Sequence, residues 1–419
     1  MRRYHRTVSR ARRLACALLT ACIAITGLAA TLARAQPTAT PLATQPAWMA
    51  SIQAAIGDHA VSVAVGQDGD LWFQHLDYVR RPPASNEKLL LSMALLQRYR
   101  PDRTIHTNAS AATMPGPHGV VRGNLWIMGH GDPGIDGARI IALARAIRDA
   151  GVRRIRGSVM GNTGPFARDW WARGWKDYFP ADYIPLPTAL TYRQNTDHRG
   201  VHVTDPELRA AKWLTARLQR LGISVGRKPG MGHAPTGLRP IAQIVSPPLQ
   251  DLIRRMDLRS RNFWAEVLGK YLGAAVLGRG TIANGARAIH RFTLAHDLAH
   301  GQDFTQYDSS GLSYANRASA RGILDLLWYA DGSSWGTVLR SALPSGGRGT
   351  LRDRLTGVRI RAKTGTLDDV SALSGWVWVE KTGGWVEFSI LSSGFNEWTA
   401  KKIEDRIVRL VSFQASAPP

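Results

Sequence analysis

Apolar and polar positions alternate along the 419-residue chain in ways that mark out its elements. Residues 48–56 carry a short helical pattern. Residues 62–65 and 71–73 are strand-like and flank Gly66-Gln67-Asp68-Gly69-Asp70, which predicts a strand–turn–strand. Pro82 and Pro83 cannot lie inside a helix. Leu89, Leu90, Met93, Leu95 and Leu96 then give a broad apolar face, so a helix is expected to open at Ser85. Further strands are expected at 121–128, 358–362, 370–379 and 385–391. Further helices are expected at 140–150, 206–221, 260–272, 318–329 and 397–413. The helix at 206–221 is the best punctuated, with Asp205 as N-cap candidate, Pro206 in the first turn and Gly222 past its end. The last three strands follow one another across short turns. That favours an antiparallel meander over a parallel sheet, and hence an α+β fold.

Punctuation and composition suggest the domain order. From about residue 101 to 237 the texture changes, with Trp170, Trp171 and Trp175 clustered before Pro185 and Pro187; these rings read as packing. We take 101–237 as an inserted domain and 48–100 with 238–419 as one discontinuous domain. Residues 1–35 hold seven arginines and no acid, then an apolar run, then Ala33-Arg34-Ala35, a small-x-small cleavage pattern. This predicts a secretory signal peptide cut before Gln36, with 36–47 as a flexible tether and the mature chain exported, periplasmic. Leu19-Thr20-Ala21-Cys22 also fits a lipoprotein processing site, which would anchor the chain through Cys22 instead. Cys16 and Cys22 are the only cysteines, so a chain cut at Ala35 has no thiol chemistry. No second apolar run is long enough to span a bilayer.

Formal net charge is +23, from 54 Lys and Arg against 31 Asp and Glu; without the seven arginines of the signal, 47 against 31 leaves +16. No basic run is interleaved with aromatics and no nucleic-acid motif is present, so the excess points to an anionic wall polymer or membrane surface rather than to nucleic acid. The histidines are scattered without a metal-ligand spacing such as H-E-x-x-H, and no metal and no cofactor is expected.

Three stretches carry candidate chemistry. Ser85 and Lys88 lie one helical turn apart: a hydroxyl beside an amine, or simply a cap beside a solvated lysine. Ser260 and Asn262 open a helix, where they either cap it or offer a second hydroxyl for proton relay and a carboxamide for a substrate amide. Lys363-Thr364-Gly365-Thr366 ends an alternating strand. The lysine can bind a carboxylate there and Gly365 can admit a substrate backbone as an added edge strand, or the lysine is merely exposed before a turn. Lys-Thr-Gly recurs at 381–383 between two strand-like runs, where a hairpin turn is expected.

The order S-x-x-K, S-x-N, K-T-G is that of β-lactamases and penicillin-binding proteins. With Pro83 to Leu90, Gly129-His130-Gly131-Asp132-Pro133, Tyr307 to Ser313, Gly349 to Arg354 and Val370 to Gly375, the chain resembles the penicillin-recognising serine peptidases over roughly residues 48–413. More narrowly it is similar to the class C low-molecular-mass penicillin-binding proteins, the D-Ala-D-Ala carboxypeptidases and endopeptidases. The resemblance implies an antiparallel sheet with terminal helices on one face and a helical subdomain on the other. A single insert is expected after the first motif, because the span from Lys88 to Ser260 is shorter than in the largest members. It further implies Ser85 as acyl-enzyme nucleophile, Lys88 as its base, Ser260 as proton relay and Asn262 as amide holder. Lys363 and Thr364 would bind the terminal carboxylate, and backbone N–H groups of Ser85 and Thr366 would form an oxyanion hole. Ser309-Ser310 replaces the usual Gly-Ser before Gly311-Leu312-Ser313, in a loop around Asp308 that braces the site. Implied partners are peptidoglycan peptides, with β-lactams as inhibitors. Rival readings are a β-lactamase or esterase on the same fold, and a catalytically silent wall-binding protein.

Overall fold

A computed structural model describes residues 46–296 and 302–417; the expected signal peptide, most of the tether and both cysteines lie outside the described residues. The described chain starts with helix α1 (Ala47–Ile56) and the hairpin of β1 (Val61–Gln67) and β2 (Asp70–His75). A 3₁₀ turn at Ala84–Asn86 leads into α2 (Glu87–Arg98). There follow β3 (His106–Ala111), β4 (Val120–Val121), β5 (Leu125–Gly129), α3 (Gly137–Asp149), β6 (Arg154–Ile155) and β7 (Val159–Asn162). Then come α4 (Phe179–Asp182), α5 (Pro206–Arg220), β8 (Ser224–Val225), β9 (Gly230–Gly232) and β10 (Arg239–Val245). Five helices come next: α6 (Leu249–Leu258), α7 (Asn262–Leu277), α8 (Ile282–His296), α9 (Ala320–Asp331) and α10 (Gly336–Ala342). The chain closes with β11 (Ile360–Leu367), β12 (Val370–Val379), β13 (Gly384–Ser393) and α11 (Glu397–Gln414).

The first sheet has the order β11-β12-β13-β1-β2 and is antiparallel throughout. Successive side chains on a strand face opposite ways, and here both faces are buried. Val61, Val63, Val65, Leu373 and Val377 pack with α1 and α11. Ala64, Ala372 and Trp376 face the helical layer of α2 and α6–α10. The meander and its two-sided cover match the expected α+β architecture. The second Lys-Thr-Gly does fall in the β12–β13 turn, where Lys381 is exposed and donates to the Gln414 carbonyl at 3.0 Å.

Residues 106–245 build a second sheet, β10-β3-β5-β7-β9, and a small parallel sheet, β4-β6-β8. Both share one apolar core with α3 and α5, including Ile127, Ile155, Ile140, Leu143, Leu214 and Leu218. Three expectations need correction here. The strand at 121–128 splits, because Val120–Val121 and Leu125–Gly129 belong to different sheets and the chain turns between them through Gly123. The second sheet also takes a strand from beyond residue 237, since β10 pairs with β3. Asp205 makes no side-chain cap bond; side-chain caps form instead at α3, where Asp136 accepts from the Arg139 N–H at 3.0 Å, at α9 through Ser319 and at α11 through Asn396. Of the clustered tryptophans, Trp175 is buried and Trp170 donates to the Ile184 carbonyl at 2.7 Å, whereas Trp171 is 53% exposed.

Helix α7 is apolar nearly all round, as a helix in the middle of a core must be. Glu266 and Lys270 are its buried exceptions, and Lys270 reaches a neighbouring segment. The ammonium donates to the carbonyls of Ala167, Asp169 and Pro187 at 2.9–3.0 Å and pairs with the Asp169 carboxylate at 2.8 Å. One buried cation thus ties the 167–187 segment to the helix that opens at Asn262.

Candidate active site

Three elements bring the three motifs to one place. The turn after Pro83 presents Ser85 at the head of α2, the α6–α7 turn presents Ser260 and Asn262, and the edge strand β11 presents Lys363 to Thr366. The Lys88 ammonium donates to Ser85 Oγ at 2.9 Å and to Asn262 Oδ1 at 2.8 Å, and also to the Ser310 carbonyl. The Lys363 ammonium donates to Ser260 Oγ at 2.9 Å and to its neighbour's carbonyl, Thr364 O, at 2.8 Å. Each hydroxyl therefore has its own buried lysine. The solvated-lysine and simple-cap readings do not survive this geometry: Lys88 and Lys363 are fully buried and neither serine caps a helix.

The backbone around the two hydroxyls is unusual. Ala84 has φ +46° and Ser260 φ +50°, left-handed values that residues with a Cβ rarely adopt. A Cβ on Gly365 would stand 2.7 Å from the Pro83 carbonyl oxygen and 3.0 Å from Ala84 Cβ. The space this glycine leaves is therefore filled by the serine turn, not by an incoming strand. The edge of β11 is nonetheless open on its outer side. The Ala362 N–H leaves the sheet to reach the Pro344 carbonyl at 3.0 Å, and by the alternation of an antiparallel strand Thr364 and Thr366 present their N–H groups on that same side. Thr364 Oγ1 donates to Thr350 Oγ1 at 2.7 Å. Together these residues border a cleft of about 560 Å³, lined by Ser85, Ser260, Thr350, Thr364, Thr366 and Trp398 among others.

Burial brings the neutral form of the amine next to Ser85 within reach of moderately alkaline pH. Burial lowers Lys88 to about 8, against the pull of Asp308, Asp257, Glu266 and Glu87. Burial and then the charge of Lys88 lower Lys363, with Asp257 opposing. Asp257 is itself raised by burial; it is fully enclosed and accepts from Ser92 Oγ at 2.8 Å. Burial and then Asp308 raise Glu266 to about 8; its Oε1 accepts the Ser309 and Ser310 N–H groups at 2.9 and 2.8 Å. The Asp308 carboxylate collects Trp175 Nε1 (2.7 Å), Asn316 Nδ2 (2.7 Å) and the N–H groups of Gly311 and Ser313 (3.0 and 2.9 Å). Bracing is only part of what this loop does, because its Ser310 carbonyl touches Lys88 directly. Asp257 and Glu266 went unnoticed in the sequence, and Ser310 was read only as part of the bracing loop. The available signal was a carboxylate inside an otherwise apolar helical stretch, as at Glu266 between Ala265 and Val267.

The sequence profile of the D-Ala-D-Ala carboxypeptidase 3 (S13) family matches residues 50–198 and 184–414. The chain belongs to that family. It is accordingly a serine-type D-Ala-D-Ala carboxypeptidase of the low-molecular-mass penicillin-binding class, a peptidoglycan hydrolase. A D-alanyl-D-alanine carboxypeptidase of an Actinomadura species is 25% identical, over 80% of this chain and 78% of its own length. A carboxypeptidase of Mycobacterium tuberculosis is 29% identical, over 77% and 73%. Among solved structures, penicillin-binding protein 4 of Haemophilus influenzae has the same fold, with TM-score 0.75 at 17% identity, covering 86% of this chain and 98% of that one. A predatory endopeptidase of Bdellovibrio bacteriovorus follows at TM-score 0.57 and 16% identity, covering 86% and 95%.

Proposed function

We propose that this S13 peptidase cleaves the terminal D-Ala-D-Ala bond of peptidoglycan stem peptides through an acyl-enzyme on Ser85. The observation that carries the reading is the pair of buried lysines, each donating to one serine hydroxyl. In its neutral form Lys88 takes the Ser85 proton as Oγ attacks the peptide carbonyl. The Asn262 carboxamide oxygen already engages Lys88, which leaves its NH₂ to hold the substrate amide. Charge gathering on the carbonyl oxygen is met by the Ser85 and Thr366 N–H groups, which favours the tetrahedral state over the ground state. As the C–N bond breaks, the proton held by Lys88 passes through the Ser260 hydroxyl to the departing D-alanine nitrogen, which leaves Lys88 neutral again. Water, deprotonated by Lys88, then opens the ester, and Lys88 returns that proton to Ser85 Oγ.

A substrate carboxylate beside Lys363 and Thr364 raises the Lys363 pKa again, because an opposite charge favours the ammonium.

We further read the chain as exported, with cleavage after Ala35 or lipid attachment at Cys22. Its basic surface suits an anionic wall or membrane. β-Lactams, which mimic the acyl donor, should leave a long-lived adduct on Ser85. The test is to incubate the wild type and Ser85→Ala with a pentapeptide stem and with cross-linked dimers, and to weigh the products. The wild type should release D-alanine, and its yield from dimers measures endopeptidase action. Ser85→Ala should lose on the order of 10⁵-fold or more in kcat and take up no fluorescent penicillin. Penicillin bound covalently to that variant would overturn the assignment.

A further inference from the structure

The small parallel sheet β4-β6-β8 has no part in the cleft, yet it gathers five exposed cations. Val121 stands opposite Ile155, and Ile155 opposite Val225, so three parallel strands end side by side. Parallel strands release their chains at the same end, about 4.8 Å apart. The residues that leave that end are Arg122 from β4, Arg156 from β6, and Arg227 with Lys228 from β8. Backbone bonds hold them in step: Arg156 N–H to the Val121 carbonyl at 2.9 Å and Arg227 N–H to the Gly157 carbonyl at 3.2 Å. Arg154 in β6 adds another. All five side chains are exposed, and among the described residues none pairs with a carboxylate.

The surrounding sequence makes the one-sided charge complete. There is no Asp or Glu in residues 103–131, 150–168 or 208–250, while the last of these holds seven Arg and Lys. The nearest acid along the chain, Asp149, is engaged by Arg148 at 2.9 Å. Like charges packed this closely destabilise the isolated fold, and a concentrated field of one sign attracts a polyanion. No large apolar side chain is exposed in 119–124, 150–158 or 221–228, the segments that carry these cations, so the face is built for charge rather than for insertion into a lipid layer.

We propose that the face at the end of β4-β6-β8 docks on the peptidoglycan polymer itself, through the carboxylates of stem peptides other than the one being cut. This rests on the reading of peptidoglycan as substrate. A second, electrostatic foothold raises the effective concentration of further stem peptides at the cleft without contributing to the chemical step. Arginine suits the task because its planar fork pairs with carboxylates.

The experiment compares the full-length mature protein with the triple variant Arg154→Glu, Arg156→Glu, Arg227→Glu. Both are tested for penicillin acylation, for D-alanine release from a soluble pentapeptide, and for co-sedimentation with purified sacculi at low and high salt. The variant should keep both soluble activities, which also shows that it is folded. Its sacculus binding should be at least about tenfold weaker, as loss of several charges from a polyanion contact implies. Wild-type binding should fade with salt and vanish when sacculus carboxylates are amidated. Undiminished binding by the variant or to amidated sacculi would overturn the proposal. So would wild-type binding to vesicles containing anionic phospholipid but not to sacculi, which assigns the face to a membrane. Sacculus binding through this face without any D-alanine release would instead sink the functional reading and leave the docking face standing.

Discussion

Acylation should follow the protonation of Lys88, and the magnitude follows from its burial. With the ammonium lowered to about 8, the neutral fraction is about 9% at pH 7, 50% at pH 8 and 91% at pH 9. The second-order rate of penicillin acylation, which reports on the free enzyme, should therefore rise about fivefold from pH 7 to pH 8 and level off above pH 9. The sign is that of a base that must lose its proton, so activity disappears as pH falls. Lys88→Arg keeps a cation at the site but cannot supply a neutral amine near pH 8. It should lose roughly 10²- to 10⁴-fold in acylation rate and show no such limb. Rates of fluorescent-penicillin labelling, measured from pH 6 to 9.5 on both proteins, decide the matter. A flat or falling profile for the wild type, or the same rising limb in Lys88→Arg, would refute Lys88 as the base.

Three other outcomes are expected. Lys363→Ala should cripple acylation by removing the buried partner of Ser260, while Lys381→Ala, at the exposed hairpin, should stay within about threefold of wild type; parallel labelling rates separate the two. Asp257→Asn removes a charge that raises both lysines, so the acid limb should move to lower pH while carboxylate-bearing substrates bind more weakly; a limb that stays in place would exclude Asp257 from the proton balance. Glu87 is fully buried with no hydrogen-bond partner for either oxygen among the described residues, and folding raises its pKa well above the ordinary value, chiefly by burial. The unfolded chain then ionises first, so stability is lost as pH climbs from the ordinary glutamate range through the folded value. Glu87→Gln should thus gain melting temperature over wild type more at pH 8 than at pH 5, and an equal difference at both would refute the protonated carboxyl.

Much of the fold and of the candidate site was legible because it rests on local signals. Proline before an apolar face marked α2, and period-two alternation marked the start of β11. The ordered motifs located Ser85, Ser260 and Lys363 although 175 positions separate the first two. What escaped depends on tertiary placement. Asp257 and Glu266 look like ordinary solvent-facing acids in a helix, and only the layered core encloses them. Val121 and Leu125 read as one strand because periodicity does not say which sheet a residue joins. Gly365 seemed to make way for substrate, whereas its missing side chain makes way for Ala84, a contact between residues far apart in the chain.

That contact is one half of a larger arrangement. The serine turn lies between two glycines on unconnected loops: Gly365 on β11 and Gly311 in the Asp308 loop, where a Cβ would come within 1.9 Å of the Ala84 carbonyl oxygen. Ala84 is left-handed at this spot, and Ser260 is left-handed across the cleft. Such conformations cost about 1–3 kcal/mol each in a residue with a Cβ, and they persist only where the surroundings over-determine them. Here the surroundings are mainly backbone. The turn is gripped by main-chain atoms that can approach because no side chain stands between them, and Lys88 is fixed from above by the Ser310 carbonyl of the same gripping loop. The position of the Ser85 hydroxyl therefore depends less on the side chains around it than on two absent ones. This gives a physical reason for the motif glycines at 311 and 365 that requires neither of them to touch the substrate.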